Sequence, residues 1–249
     1  MKVIFHPRFY EVYTQDPAAA PGRMESIVKT LEKDFGLVEP EPASEKDLER
    51  VHGRQHVQSV KRDLPVYEVG ILAAGGAILS AELAFGGKPA FGLIRPPGHH
   101  ASPHSCWGFC YFNNIAVAIK KLISDGKIKS ALILDFNLHY GDGTANTFDG
   151  SKSVIYFHPE GRDRGTFLKE VERGFQTEQP YEIIAVSAGF DRHEEDWGGL
   201  LKTEDYFTIG TWAKTYSLQR CEGRRFGVLE GGYNHSVLGK NVRQFLQGL

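Results

Sequence analysis

Cysteine is scarce in this chain of 249 residues, which has only Cys106, Cys110 and Cys221. Three irregularly spaced cysteines are too few for the disulfide framework that stabilises small secreted domains. We therefore expect a protein of the reducing cytoplasm, in which the three cysteines have structural roles.

Charge of one sign is not in excess either, because 29 Lys and Arg residues face 31 Asp and Glu residues and leave a formal net charge of −2. Such a chain has no global field to attract nucleic acid, so we expect no direct nucleic-acid partner. No evident apolar run approaches the roughly 20 residues that span a bilayer, and the N-terminus lacks the features of a signal peptide. We therefore also expect no membrane association.

Repeats, low-complexity tracts and Pro/Ser-rich linkers are absent, and 41% hydrophobic and 24% charged residues are typical of a folded globular protein. Short apolar runs alternate with helical patterns, as in parallel strands joined by helical crossovers. The sequence thus predicts an α/β protein, with one three-layer α/β/α domain over residues 1–249 and a central, mainly parallel sheet. The predicted strands are Lys2–Phe5, Phe91–Arg95, Ser130–Phe136, Ser153–Phe157, Glu182–Ser187 and Phe226–Leu229.

Glycines and polar side chains follow four of the predicted strands. In open parallel sheets, ligands bind in the crevice at the carboxyl ends of the strands, so we expect these segments to converge on one site. The four segments are Pro96–His100, Asn137–Gly143, Ala188–Asp191 and Glu230–Asn234.

The end of the strand Ser130–Phe136 and the segment after it combine a carboxylate, an amide and an imidazole, at Asp135, Asn137 and His139. If strand geometry continues through them, all three side chains share one face, because side chains alternate along a strand. With Asp191 arriving from a neighbouring strand they would form a metal cradle, and His with carboxylate ligands suits catalytic zinc. The alternative is a capped strand end with a structural histidine.

Two adjacent histidines, His99 and His100, follow another strand. Because neighbouring residues cannot share a strand face, a turn must direct both rings. Two imidazoles beside a metal-activated water can divide proton transfer and charge stabilisation between them. Asp135 and Asp142 are the natural carboxylates to orient these rings, although a chance His-His pair is the alternative.

Two further features have both a functional and a structural interpretation. Tyr233 follows two glycines and could donate its hydroxyl to a developing oxyanion, or could be a loop tyrosine packed on the surface. The aromatic, glycine-rich segment Trp107–Asn114 could wall a narrow slot for an alkyl chain, or could be ordinary core.

Taken together, these segments resemble the motifs of the histone deacetylase superfamily, which includes acetoin-utilisation proteins and acetylpolyamine amidohydrolases. The motifs occur in the family's order and lie between about residues 90 and 235. The resemblance implies the arginase-like α/β/α fold and zinc-dependent hydrolysis of an N-acetyl amide. The matching segments are Arg95–Ala101, Gly108–Asn113, Leu138–Thr144, Ser187–Asp191 and Glu230–Asn234.

The resemblance also implies which residues hold cations. His139 and Asp191 match two of the family's three zinc ligands, and Asn137 stands at the third position. One Zn²⁺ per chain is therefore expected. Asp135, with backbone carbonyls around Asn137 and His139, matches a structural K⁺ site.

Catalytic and substrate-binding roles follow from the same resemblance. His100 would be the general base, His99 the second histidine of the pair, and Tyr233 the electrophilic tyrosine. Asp135 and Asp142 match the carboxylates behind the two histidines, and Phe109 would be one wall of an acyl-lysine tunnel. The residues expected to contact substrate are Gly108, Phe109, Gly231 and Gly232.

Two departures from the family pattern bear on function. The family has Asp where this chain has Asn137, and an amide oxygen can coordinate zinc but brings no charge, so zinc should bind more weakly. The family also has a long loop with a second aromatic tunnel wall where residues 159–167 lead directly into a helix, and a longer rim loop where this chain has residues 63–67. The pocket is therefore expected to be shallow or to be completed by another subunit of a homo-oligomer.

We therefore expect a metal-dependent deacetylase that removes a short acyl group from acetylated protein lysine or from a small acetylated amine such as a polyamine. One alternative is a catalytically impaired acyl-lysine-binding protein, because Asn137 replaces a ligand carboxylate. The intact His99, His100 and Tyr233 argue against that alternative. A manganese ureohydrolase on the related fold would need several Asp-x-His pairs, and only one such cluster is present.

Overall fold

Seven strands form one sheet in the computed structural model, which describes all residues 1–249. The strands are β1 (Lys2–Ile4), β2 (Gly36–Val38), β3 (Ala90–Gly92), β4 (Ala131–Asp135), β5 (Val154–Phe157), β6 (Ile184–Ala188) and β7 (Arg225–Leu229). Their order in the sheet is β2-β1-β3-β7-β6-β4-β5, and every neighbouring pair is parallel. The predicted central sheet is confirmed, and it is parallel throughout.

Helices cover the sheet as two separate groups. In one group α4 packs on α5, and in the other α9 packs against both α1 and α8, which itself contacts α7. This arrangement confirms the predicted three-layer α/β/α architecture. The helices are α1 (Arg23–Leu31), α2 (Glu45–Leu48), α3 (Arg54–Val60), α4 (Leu64–Phe85), α5 (Asn114–Ser124), α6 (Asp142–Phe148), α7 (Arg164–Phe175), α8 (Thr203–Arg220) and α9 (His235–Gly248).

The longest helix, α4, corrects one expectation from the sequence. It has 22 residues with a mean hydropathy of 1.5, so by length and composition alone it could cross a membrane. In the fold 72% of that apolar window is buried inside the protein. Gly75 lets this helix pass close to the chain before α2, since a Cβ there would overlap the carbonyl oxygen of Glu41. The apolar composition of α4 therefore serves the protein core.

The sheet order places the four polar segments side by side. Strands β3, β7, β6 and β4 are consecutive neighbours, and each of the segments follows one of them. One detail differs from the expectation: β4 ends at Asp135, and the chain bends over Asn137–His139 instead of continuing as a strand. The backbone N–H of Leu138 donates to Asp191 Oδ1 at 2.9 Å, which draws the bend toward β6. Tertiary contacts, and not strand alternation, therefore place these side chains.

Candidate active site

A cavity of about 130 Å³ lies at the carboxyl ends of these four strands. Six of the predicted site residues line it, together with Trp107 and Trp197 and the ring of Pro97. A larger open cleft of about 520 Å³, lined by α3 and the loop before Trp107, contains none of the predicted site residues. The predicted residues on the smaller cavity are His99, His100, Gly108, Phe109, His139 and Tyr233.

The two adjacent histidines each pair with a different carboxylate. His99 Nδ1 lies 3.0 Å from Asp135 Oδ2, and His100 Nδ1 lies 2.6 Å from Asp142 Oδ1. Because an ionised carboxylate only accepts hydrogen bonds, each Nδ1 must donate, which leaves each Nε2 available to another partner. The hydroxyl of Tyr156 also donates to Asp135 Oδ2 at 3.0 Å and fixes that carboxylate in place.

Burial and charge give the two histidines opposite protonation states. Burial disfavours the charged form of His99, but the Asp135 carboxylate and its hydrogen bond outweigh burial and raise the pKa of His99 to about 9. Burial, and next the charge of His99, lower the pKa of His100 to about 4 against the opposing effect of Asp142. Near neutral pH, His99 is therefore an imidazolium ion and His100 is a neutral imidazole that can accept a proton.

Asp191 and His139 offer two ligand atoms for a metal ion. Asp191 is fully buried, and its Oδ2 has no hydrogen-bond partner. A buried carboxylate oxygen without a partner is costly, so a cation is its natural complement. His139 Nδ1 lies 3.7 Å from that oxygen, close to the roughly 3.4 Å between two ligand atoms about 2.0–2.1 Å from a tetrahedral zinc ion. These two residues fit a divalent cation.

Asn137 offers a third ligand atom, its amide oxygen, which is a weaker ligand because it carries no charge. Its Oδ1 accepts a hydrogen bond from the backbone N–H of Gly231 at 2.9 Å, which leaves one lone pair for a cation. A Cβ added at Gly231 would lie within 2.5 Å of both Asn137 Oδ1 and Asp191 Oδ2, so both oxygens crowd the same glycine. The three residues therefore fit zinc by position, with one charge fewer than two carboxylates would provide.

A second group of ligand atoms lies deeper in the protein. His99, Cys110 and Glu230 are all buried, and their ligand atoms lie within 4.8 Å of one another. Burial raises the pKa of the Cys110 thiol well above its usual range, whereas a metal needs the thiolate. Glu230 Oε2 already accepts the backbone N–H groups of Gly98 and His99, at 2.7 and 3.2 Å. This cluster is therefore a poorer metal site than Asp191 and His139.

Tyr233 is held over the cavity by contacts that the sequence did not reveal. Asp196 Oδ2 accepts the backbone N–H of Tyr233 at 2.8 Å, and the Trp197 ring stacks on the Tyr233 ring at 4.0 Å between centroids. The buried Arg23 lies 5.5 Å from the same ring and donates to the carbonyl of Gly232 at 2.9 Å. Burial raises the pKa of Tyr233, so its hydroxyl stays protonated and remains a donor.

Trp107 performs a similar function for His100. Its indole N–H donates to Asp142 Oδ2 at 2.9 Å, and its ring lies 4.0 Å from the His100 ring. Gly108 and Phe109 both adopt positive φ angles, 58° and 67°, and a Cβ on Gly108 would collide with the His100 ring. The tight turn therefore brings the backbone against His100 and directs Phe109 toward Tyr233, 6.2 Å away between centroids.

Two substrate-binding predictions need correction. Gly231 and Gly232 do not line the cavity. The backbone N–H of Gly231 donates a hydrogen bond to Asn137 Oδ1. Gly232 has a φ of 120°, and its carbonyl accepts a hydrogen bond from Arg23. Gly231 allows the backbone to approach the side chains of Asn137 and Asp191, and both glycines lie outside the lining of the cavity.

The structural K⁺ site implied by the resemblance is not matched. The carbonyl of Asn137 accepts a hydrogen bond from Arg192 Nε at 3.0 Å, and Asp135 Oδ1 accepts the backbone N–H of Asn137 at 3.1 Å. The Asn137 carbonyl and Asp135 Oδ1 therefore already have a cationic or N–H partner, and this arrangement does not fit K⁺.

Sequence reasoning missed five residues of this site: Arg23, Trp107, Arg192, Asp196 and Trp197. Trp107 stood in a segment already considered for the slot wall, but it had no assigned partner. The acidic run before Trp197 was the only other signal, and it gave no indication of where the indole ring lies.

Comparison with known proteins agrees with this geometry. The histone deacetylase domain family matches residues 64–167 and 160–249. A probable deacetylase of Methanothermobacter thermautotrophicus is 29% identical over 306 aligned positions, covering 99% of this chain and 90% of that protein. A probable deacetylase of Archaeoglobus fulgidus is also 29% identical, covering 93% of this chain and 81% of that protein.

The fold has a close counterpart among solved structures. The crystal structure of the HDA15 HD domain superposes with a TM-score of 0.83 and 24% identity, covering 99% of this chain and 90% of that one. At this identity the likeness bears on the fold alone, and it confirms the predicted arginase-like architecture. The family match extends over most of the chain and includes every strand that carries a site residue. This chain therefore belongs to the histone deacetylase family.

Proposed function

We propose that this protein is a zinc-dependent deacetylase that hydrolyses the N-acetyl amide of an acetylated protein lysine or a small acetylated amine and releases acetate. Residues 1–249 would act as one catalytic domain. The observation that carries the proposal is the unpartnered, fully buried Asp191 Oδ2, 3.7 Å from His139 Nδ1. His99, His100 and Tyr233 line the cavity into which His139 projects.

The residues of this chain account for the proton transfers of amide hydrolysis. Zinc, when bound by His139, Asp191 and Asn137, would supply Lewis-acid activation of water and of the acyl oxygen. His100, neutral at pH 7, accepts a proton from the attacking water at Nε2.

Tyr233 donates its hydroxyl to the acyl oxygen as negative charge develops there, which stabilises the transition state more than the ground state. His99, charged at pH 7, also stabilises the developing negative charge. The C–N bond then breaks, the amine leaves with a proton from the histidine pair, and acetate is the second product.

The walls of the cavity suit an unbranched chain attached to the acetyl-bearing nitrogen. Trp107, Phe109 and Trp197 form aromatic walls around a volume of only about 130 Å³. Flat apolar rings on several sides favour methylene groups and exclude branched side chains. Both lysine and polyamines provide such a chain, so the slot supports either class of amine.

A second candidate function rests on Asn137. Its amide carries no negative charge to balance the metal ion, and its oxygen already accepts a hydrogen bond from Gly231. A chain with this site could retain acyl-lysine recognition and have impaired catalysis. The pairing of a charged His99 with a neutral His100 favours the enzyme, since recognition alone requires no proton acceptor beside a charged imidazole.

Acetate release distinguishes these two functions. Purified protein is stripped of metal, supplied with increasing zinc and incubated with an acetyl-lysine peptide or an N-acetylated polyamine. The proposal expects zinc-dependent acetate release from at least one substrate. Substrate binding with no acetate at saturating zinc would instead support the binding function, and neither binding nor release would contradict both.

A further inference from the structure

We propose that the guanidinium of Arg192 is a built-in cation, which replaces a structural monovalent ion behind the metal-ligand turn at Asn137–His139. It follows that the fold of this protein does not depend on K⁺. This inference concerns stability, so it does not rest on deacetylase activity.

The contacts of Arg192 are those of a cation site built from backbone carbonyls. Its Nε donates to the carbonyl of Asn137 at 3.0 Å, and one terminal nitrogen lies 3.2 Å from the carbonyl of Leu138 and 3.4 Å from that of Pro159. Convergent carbonyl oxygens are also what replaces the hydration shell of a bound K⁺. The guanidinium would therefore compete with the ion for the carbonyl of Asn137.

Two aromatic side chains also hold the guanidinium in place. Arg192 is only 8% exposed, and its guanidinium lies 4.4 Å from the centroid of the Phe167 ring. His158 Nε2 lies 3.3 Å from the same terminal nitrogen that reaches Pro159. Carbonyls and an aromatic face therefore replace water around the buried charge.

The short segment after β5 explains how this arrangement forms. Only residues 158–163 separate β5 from α7, and Phe167 lies in the first turns of α7. The short connection thus brings an aromatic ring directly over the guanidinium. The short connection after β5 and the arginine next to Asp191 are therefore linked, because the connection places Phe167 over that arginine.

Arg192 also connects two loops of the candidate active site. Through the carbonyls of Asn137 and Leu138 it holds the turn that carries the metal ligands, and through Pro159 it joins that turn to the loop after β5. Burial lowers the pKa of Arg192, and the nearby carboxylates of Asp191 and Asp135 act in the opposite direction and favour its charged form. A fixed cation at this point therefore supplies the positive charge that an ion would otherwise provide.

The unmodified protein gives the first test. Its thermal midpoint is measured by circular dichroism in KCl and in choline chloride at matched ionic strength. We expect equal midpoints. By contrast, an ion that binds the folded protein and is present at about 100 times its Kd would raise the midpoint by about 5–10 °C for a domain of this size. A saturable rise of that size with K⁺ would overturn the proposal.

The second test compares Arg192→Met with Arg225→Met. Arg225 is a matched control, because it is also buried and donates to two backbone carbonyls, those of Leu249 and Gly223, away from the site. We expect both variants to have lower midpoints and only Arg192→Met to regain part of the loss in KCl over choline chloride. Equal responses of the two variants to K⁺ would contradict an ion-like role for Arg192. If Arg192→Met does not fold in either salt, the comparison on the unmodified protein decides.

Discussion

At the scale of single residues, the site shows how two identical side chains acquire different chemistry. His99 and His100 are adjacent in sequence and their rings lie 4.0 Å apart. Asp135 is fully buried, whereas the side chain of Asp142 is 36% exposed, so the first carboxylate acts on its histidine with less screening. One ring therefore carries the charge, and the other remains free to take a proton.

The pH dependence of catalysis tests this division. Activity requires neutral His100, with a pKa of about 4, and charged His99, with a pKa of about 9, so kcat/KM should be high between these values. Asp135→Asn removes the carboxylate that raises the pKa of His99, and the alkaline limb should move by more than about one unit toward the ordinary value near 6.5.

Asp142→Asn is the matched control for that profile. Because Asp142 raises the pKa of His100, its removal should shift the acidic limb to lower pH and leave the alkaline limb in place. An alkaline limb that does not respond to Asp135→Asn would show that His99 does not titrate there.

The general base has its own test. His100→Ala should lower kcat by about 10²–10⁴-fold, because the proton acceptor is lost, while zinc content and thermal midpoint change little. His104→Ala serves as the control, since His104 is exposed and does not line the cavity. Activity above about a tenth of the original in His100→Ala would exclude His100 as the base.

At the scale of secondary-structure elements, the loop between β6 and α8 controls the tyrosine. Asp196 accepts the backbone N–H groups of both Tyr233 and Asn234, each at 2.8 Å, and Trp197 stacks on the Tyr233 ring. The same indole is a wall of the cavity. Trp197 thus provides an aromatic wall in a pocket where the sequence left the second wall unassigned.

Substitution of Trp197 should act through Tyr233. We expect Trp197→Ala to lower kcat by about three- to tenfold, which corresponds to the loss of an aromatic pair, and Trp197→Phe to recover most of it. In a Tyr233→Phe background the same change should have a much smaller effect on kcat. Trp212→Phe, outside the cavity, is the control.

Equal losses of kcat with and without the Tyr233 hydroxyl would refute this positioning role. A change confined to KM would assign Trp197 to substrate binding alone.

Much of this architecture could be predicted from the sequence, because its signals are local. Apolar runs marked the central strands, and the rule for parallel sheets predicted that the segments after β3, β4, β6 and β7 converge. Strand β2, with three residues and no fully buried side chain, left no such pattern. The apolar helix α4 is suitable for a membrane in length and composition, and the sequence interpretation missed this.

Contacts between distant segments could not be predicted. Arg192 and Asp196 look in sequence like two charged residues of a polar loop, yet one is buried under Phe167 and the other binds backbone groups 37 and 38 residues away. Such pairings depend on how loops close in three dimensions. The fold and the motif residues were accessible from sequence, and the residues that hold them in place were not.

At the scale of the whole protein, the chain differs from one of its relatives in the segments that it contains. Its alignment with the Methanothermobacter protein spans 306 positions against the 249 residues of this chain, so that relative has segments that this chain lacks. In this chain Phe167 covers Arg192 and Trp197 walls the cavity. A homo-oligomer that completes the rim stays a prediction.

The central claim is that Asn137, His139 and Asp191 hold a catalytic zinc ion, and Asn137→Asp tests it most directly. Two unit charges 4 Å apart attract by about 1 kcal/mol in water and about 4 kcal/mol near a protein surface. The double charge of Zn²⁺ doubles these values, so the carboxylate should tighten zinc binding by more than about tenfold. Zinc is titrated into both metal-free proteins, and affinity and acetate release from an acetyl-lysine peptide are followed together.

We expect the Asn137→Asp protein to saturate at lower zinc and to release acetate faster, with the unmodified chain active only at higher zinc. Equal zinc affinities, with no gain in acetate release on Asn137→Asp, would show that residue 137 is not a ligand and that the metal centre assigned to this site is wrong.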